Sequence, residues 1–363
     1  MKENLPEISL EKALNHISEY YTELIRRESP LCNAVTFFLW GKPGIGKTQG
    51  ICQLAERLEK DVGKKVCVTY IKLSDHGPTD LSGIMVWDNK KEKTKWLKPE
   101  MFDVNPSKEV INLFFLDEIP DAAVQVEKIA NQIIDYKKVA SHKFPANCLF
   151  IGAGNRNKDY CMTYTMPKSL ANRMLHYNVQ PDFEGWKKWA VNQGVHPYVL
   201  GYLSYDNSKL CVEEINPERV AFPSPRSWMA LSDYMNIMHG KTVEELHYEI
   251  SGLIGREYAL EFENWCRIQS QLPKTEDIFN GNNPSYPRTA DALCALISSM
   301  TIYVRRNRDD ITLEQLQHAC KYADRFTVDF KTMFFGNLSQ IEELRVKVML
   351  TKVGKFRKWL QKQ

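Results

Sequence analysis

The chain has 363 residues, 43% of them hydrophobic and 26% charged, with a net charge of +3. That length provides two or three domains with ample core material, and a charge so close to neutral gives no global electrostatic case for nucleic-acid binding. No stretch approaches a membrane-spanning run, the N-terminus MKENLPEISLEKAL lacks a signal-peptide layout, and nine scattered cysteines without C-x-x-C spacing predict reduced thiols in a cytoplasmic protein without zinc.

Apolar residues from Ile8 to Ile25 recur at helical spacing, so residues 8–27 are predicted to form an amphipathic helix. The stretch VTFFLWGKPGIGKT follows. Val35 to Trp40 is a β-branched and aromatic run suited to a strand buried on both faces. Gly41, Gly44 and Gly46 then make a turn, and Lys47-Thr48 opens a helical pattern through Leu58. Strand, G-x-x-x-x-G-K-[ST] and helix in that order are the context of a phosphate-binding loop. The backbone of Gly41, Pro43, Gly44, Ile45 and Gly46 can curl around phosphate oxygens. Lys47 supplies a mobile charge for the β- and γ-phosphates, and the Thr48 hydroxyl can ligate Mg²⁺.

Val66 to Ile71 reads as a second buried strand, with a helix start at Thr79-Asp80-Leu81. A β-hairpin over 83–97 then interrupts, with Trp87 and Trp96 expected to pair across it and lysines at 90, 91, 93, 95 and 98 making its tip basic. Val110 to Leu116 is a third apolar strand delivering Asp117 and Glu118. Asp117 is placed to hold Mg²⁺ and Glu118 to deprotonate the attacking water; the competing reading is an N-cap and first-turn acid of the helix over 122–136. Cys148 to Ala153 is a fourth strand, after which Asn155 can bond the attacking water or the γ-phosphate. A short helix ends in Arg173, a candidate arginine finger acting in trans, and a fifth strand spans Met174 to Val179.

Helices are expected over 183–193 and 199–203, and two prolines in the aperiodic stretch 210–223 mark a domain boundary. Ser224-Pro225-Arg226 starts the next helix. A cation in a first turn opposes the helix dipole, so Arg226 is better explained by an anionic partner. Thr242 and Glu245 form a capping box, a helix spans about 254–269, and Leu272 to Arg288 reads as a linker. Helices over 289–305, 313–325 and 338–352 and a basic tail close the chain. The organisation expected is an N-terminal helix (1–34), an α/β nucleotide-binding core with its hairpin insert (35–212) and a helical lid (213–363).

Six pieces in order resemble the MoxR family of AAA+ ATPases, in the helix-2-insert clade: GKPGIGKT (41–48), the DLSG-plus-hairpin insert (80–97), FFLDEIP (114–120), IGAGNR (151–156), MPKSLANR (166–173) and SPRSW (224–228). The resemblance implies a P-loop NTPase fold with a five-stranded parallel sheet ordered 5-1-4-3-2 and a C-terminal all-α lid. It implies ATP with Mg²⁺ as cofactors, Asn155 as sensor 1, Arg173 as the trans arginine finger and Arg226 as sensor 2. It further implies a homo-oligomeric ring, commonly a hexamer, acting as a chaperone-like remodeler of a protein client. A von Willebrand factor A-type partner would be a separate polypeptide. The alternatives are a nucleic-acid-associated or restriction/defence-type motor, with the basic hairpin gripping backbone phosphate, and a nucleotide-gated scaffold with negligible turnover.

Overall fold

The longest apolar runs become parallel strands because each has a partner layer on both faces. In the computed structural model, residues 5–89, 92–155, 166–212, 219–270, 272–287 and 289–341 are described. The chain divides into two compact units: one of residues 1–189, 211–220 and 224–226, the other of residues 190–210, 221–223 and 227–363.

The first unit begins with β1 (Glu7–Ser9) and α1 (Leu10–Arg26), then β2 (Thr36–Trp40), α2 (Lys47–Val62), β3 (Lys65–Lys72) and α3 (Pro78–Ser82). The hairpin strands β4 (Ile84–Asp88) and β5 (Lys93–Leu97) follow, then β6 (Val110–Asp117), α4 (Val124–Tyr136) and the short hairpin β7 (Lys138–Val139) and β8 (His142–Lys143). Next come β9 (Cys148–Gly154), α5 (Lys168–Ala171), β10 (Met174–Gln180) and α6 (Phe183–Asn192), which belongs to the second unit from Ala190 onward. The main sheet is parallel throughout, with strand order β1-β10-β2-β9-β6-β3. Within it, β10-β2-β9-β6-β3 is the 5-1-4-3-2 order expected for the core.

The expected sheet of five strands is corrected to six. Glu7–Ser9 pairs with Asn178–Gln180 at the edge. Three residues are too short to leave a period-2 signal, so they read as the start of α1, which Ser9 caps by accepting from the Lys12 N–H. The second strand, expected to be buried, is the opposite edge: Val68 and Tyr70 are exposed and only Ile71 is buried.

Alternate residues of the central strands feed two cores. Phe37, Leu39, Leu113, Phe115, Leu149 and Ile151 pack under α1 and α2, through Leu14, Ile17, Tyr21, Ile51, Leu54 and Leu58. Phe38, Trp40, Phe114, Leu116 and Phe150 face α4, through Val126, Ile129, Ile133 and Ile134. Burying each such side chain contributes about 1.5–3 kcal/mol, which is why the helices stay on the sheet despite modest propensities.

The insert hairpin forms with a different register. Trp87 faces Thr94 and Trp96 faces Met85, so the tryptophans are diagonal neighbours rather than a pair. Gly83 opens it at φ +82°, where an added Cβ would collide with the Leu97 carbonyl oxygen, so only glycine fits. Lys90 and Lys91 lie outside the described residues.

Lys137 follows α4 in a left-handed conformation (φ +51°). Its Nζ donates to Thr36 Oγ1 (3.2 Å) and sits 4.8 Å over the Phe150 ring, and burial pushes its ammonium down from 10.5 to about 8. Between those values the unfolded chain binds more protons than the folded one, so the cost of the charge is full below pH 8 and fades as pH rises towards 10.5. Lys137→Met is therefore expected to raise stability at pH 7 by about 1–2 kcal/mol, once the lost Thr36 bond and ring contact are set against it, with the gain shrinking above pH 8. Urea unfolding at pH 7 and pH 10 checks this; an equal effect at both would refute it.

The second unit is helical: α7 (Pro197–Tyr205), α8 (Pro225–Ile237, from Ser227 onward), α9 (His247–Ile254), α10 (Arg256–Ser270), α11 (Thr275–Phe279), α12 (Ala290–Arg306), α13 (Leu313–Ala323) and α14 (Val328–Ser339). Trp228, fully buried, packs on Tyr202 and Phe262 and donates its Nε1–H to the Lys209 carbonyl. The Thr242–Glu245 bonds form, around a turn that runs into α9. The stretch expected to be a linker is corrected: Ile278 and Phe279 are buried in the core of α12, α13 and α14. The last helix expected lies mostly outside the described residues, as does the basic tail; α14 ends at Ser339.

Candidate active site

A parallel sheet ends all its strands the same way, so whatever follows their C-termini gathers along one edge. β2 leads into Gly41, β3 into Ser74, β6 into Glu118 and β9 into Asn155. Register makes them neighbours: Trp40 lies beside Gly154 and Lys72 beside Asp117.

After β2 the chain turns with Gly44 at φ +77° and Gly46 at φ +96°. α2 starts at Lys47 without a side-chain cap, so its first N–H groups and its dipole face the loop. Ile45 is buried among the residues under α1 and α2 and anchors the loop from beneath; Pro43 is half-buried, and Thr48 is exposed at the helix start. Lys47 is only 8% exposed. Its Nζ donates to the carbonyls of Gly41 (2.7 Å) and Lys42 (3.1 Å) and to Asn155 Oδ1 (3.1 Å). These oxygens hold the ammonium at the loop.

Asp117 Oδ1 accepts from the Glu118 N–H (2.9 Å), and Oδ2 accepts from the Tyr70 hydroxyl (3.3 Å). Glu118 Oε2 accepts from Ser74 Oγ (2.6 Å) and lies 3.4 Å from Lys72 Nζ. Glu118 also sits at φ +54°, a strained conformation for a non-glycine residue, directly at the strand end. The competing N-cap reading is not what forms: Ala123 precedes α4, and a 3₁₀ turn over Ile119–Asp121 intervenes. Asp121 adds a third carboxyl, which burial and then the charges of Glu118 and Asp117 push above its ordinary range. Burial first, and then Asp117, likewise raise the Tyr70 hydroxyl.

Among the described residues, no group of three or more His, Cys, Asp or Glu is arranged to cage a metal. Mg²⁺ is bound through one or two carboxylates and substrate phosphates rather than by a cage of protein ligands. The crowding of Asp117, Glu118 and Asp121 is what a divalent cation would relieve. The donor set fits Mg·ATP, with Asp117 and Thr48 as the protein oxygens.

Arg226 meets the loop through its backbone: its N–H donates to the Gly44 carbonyl (3.2 Å), with the side chain exposed. Lys42 Nζ donates to the Val212 carbonyl (2.7 Å), a second tie to the loop. Arg173 lies elsewhere. It precedes Met174, which pairs with Thr36 at the start of β2, the far end from Gly41. Five residues of strand separate the two levels, roughly 17 Å, beyond the reach of an arginine side chain. The structure thus brings together Gly41 to Thr48, Asp117, Glu118 and Asn155, with Arg226 beside them, and leaves Arg173 apart. Asn157 and Arg156 lie outside the described residues.

Tyr70, Lys72, Ser74 and Asp121 escaped the sequence reading. The strand order is the signal that finds them, because only the pairing of β3 with β6 places Lys72 and Ser74 against Glu118.

No family model matches the chain, and none of the curated proteins does. Solved structures similar to it include a RuvB mutant from Thermotoga maritima, 15% identical over 81% of this chain and 83% of that one, with a TM-score of 0.39. The Thermotoga maritima RuvB Holliday junction branch migration motor is 15% identical, covering 85% and 86%, at 0.36. PCH-2 from C. elegans is 14% identical, covering 72% and 70%, at 0.34. At these identities and scores the likenesses carry nothing about activity. No described helix is long and apolar enough to cross a membrane.

Proposed function

We propose that the chain is a MoxR-like AAA+ ATPase that binds Mg·ATP at the C-terminal edge of its sheet and hydrolyses it. The observation that carries this reading is the meeting of Lys47 with Asn155 beside the Asp117–Glu118 pair, beyond a glycine loop that opens a helix.

Bound Mg²⁺ would draw charge from the β- and γ-phosphates. Lys47 exchanges its carbonyl partners for phosphate oxygens, and the α2 N–H groups cradle the rest. Glu118 accepts a proton from the attacking water, leaving its Ser74 and Lys72 contacts to do so, and Asn155 orients that water. Arg226 faces the triphosphate from beside Gly44.

The distance of Arg173 from its own loop supports a role in trans, with its guanidinium meeting the γ-phosphate on a neighbouring copy in a ring. An arginine finger contributes about 10³–10⁵ in rate in related chemistry. Arg173→Ala is therefore expected to leave nucleotide affinity near wild type and to remove the rise of specific activity with protein concentration. If the variant's activity still climbs with concentration as wild type does, the trans assignment fails.

Work on a protein client, a von Willebrand factor A-type partner, a hexameric ring and a cytoplasmic site rest on the motif resemblance. The motor acting on nucleic acid is less supported, because Lys95 and Lys98 of the basic hairpin are already engaged by Asp88 and Asp103.

A further inference from the structure

Arg173 is held by two side chains of α4 that the motifs do not include, Asp135 and Asn131, and by the Ser169 carbonyl. Its Nε forms an ion pair with Asp135 Oδ1 (2.8 Å), and Nη1 donates to the Ser169 carbonyl (2.6 Å) and to Asn131 Oδ1 (3.3 Å). Asn131 and Asp135 are four residues apart on α4 and so share one face of that helix. The guanidinium is a rigid plane with five N–H donors, and these contacts engage it at Nε and Nη1. Among the described residues Nη2 has no acceptor. The side chains of Arg173 and Asp135 are 33% and 26% exposed, and a half-exposed pair adds little to stability. What the pair supplies is geometry.

We propose that Asp135, with Asn131 assisting, is a positioning residue for Arg173, holding it through Nε and Nη1 so that Nη2 is available to a phosphate oxygen on the next copy of the chain. This rests on the trans reading of Arg173 given above. A restraint that keeps the arginine from its phosphate is the opposite device, and it would make the Asp135 variants faster than wild type. An arginine ordered before assembly has already lost the rotamer freedom that binding would otherwise remove. The anchor is also firm: α4 runs for 13 residues and buries Val126, Ile129, Ala130, Ile133 and Ile134.

The test is steady-state ATP turnover of the full chain at saturating protein concentration. Asp135→Ala is expected to lower kcat between about tenfold and a hundredfold, with KM for ATP and the concentration of half-maximal assembly unchanged. Asp135→Glu should restore part of the loss. Arg173→Ala combined with Asp135→Ala should be no slower than Arg173→Ala alone, because the second change acts only through the first. Asp135→Asn, of the same shape, answers the question if the alanine variant does not fold. Wild-type or faster turnover in the Asp135 variants, or losses that multiply with that of Arg173→Ala, would overturn the proposal. If Arg173→Ala itself turns over like wild type, the trans reading falls and this inference with it. If Arg173→Ala is slow while the Asp135 variants are normal, only this inference falls.

Discussion

Glu118→Gln is expected to bind ATP within about threefold of wild type while turnover drops by about a hundredfold or more, the contribution of a well-placed general base. Gln keeps an oxygen that accepts from Ser74 Oγ and has the same length, so the strained turn at φ +54° and the folding of β6 should be undisturbed. The change removes basicity and the contact with Lys72, a partly exposed pair that adds little to stability. Phosphate release, set beside equilibrium binding of ATP, reads the two quantities separately. Full turnover would exclude this carboxylate as the base, whatever the surrounding geometry.

Lys47→Ala is expected to weaken ATP binding about tenfold to a hundredfold, from the loss of charge-assisted bonds worth about 1.5–3 kcal/mol. The effect should follow phosphate number, large for ATP and small for adenosine, because Lys47 reaches only the loop. The oxygens that now hold its Nζ include two loop carbonyls and Asn155 Oδ1, and water can serve them in the variant. A modest fall in thermal stability should therefore accompany a large fall in affinity. Isothermal titration with ATP, ADP and adenosine separates this from general damage to the fold; an equal loss for all three ligands would contradict it.

The two predictions draw on parts of the chain that were readable to different degrees. Val35 to Thr48 was legible because strand, glycine turn and helix follow within fourteen residues, so local chemistry alone specifies the loop. β6 and β9 were legible for a related reason: strands buried on both faces read as unbroken apolar runs. The arrangement of Glu118 was only half legible. Its partners Ser74 and Lys72 sit 44 and 46 positions upstream, and nothing local marks them until β3 pairs with β6. Edge placement was also hidden, since Val66 to Ile71 has the composition of a buried strand and only the sheet order puts it at the edge. Trp87 and Trp96 missed each other because hairpin register is set by the turn, and the turn around Asn89 gave no two-residue signature. Ile278 and Phe279 were obscured by the prolines around them, which suggested a linker where a one-turn helix docks on α13. Asp135 lay in plain sight on a helical pattern, yet its pairing with Arg173 spans 38 residues and depends on β10 lying beside β2.

The most direct measurement is a crystal structure of the Glu118→Gln protein with ATP and magnesium. The triphosphate is expected against the N–H groups of Gly44 to Thr48, with Lys47 Nζ moved from the Gly41 and Lys42 carbonyls onto phosphate oxygens, the metal between Thr48 and Asp117, and Arg173 contacting only a neighbouring copy's nucleotide. A nucleotide seated away from this loop, or a Lys47 still bonded to its own carbonyls beside it, would contradict the account.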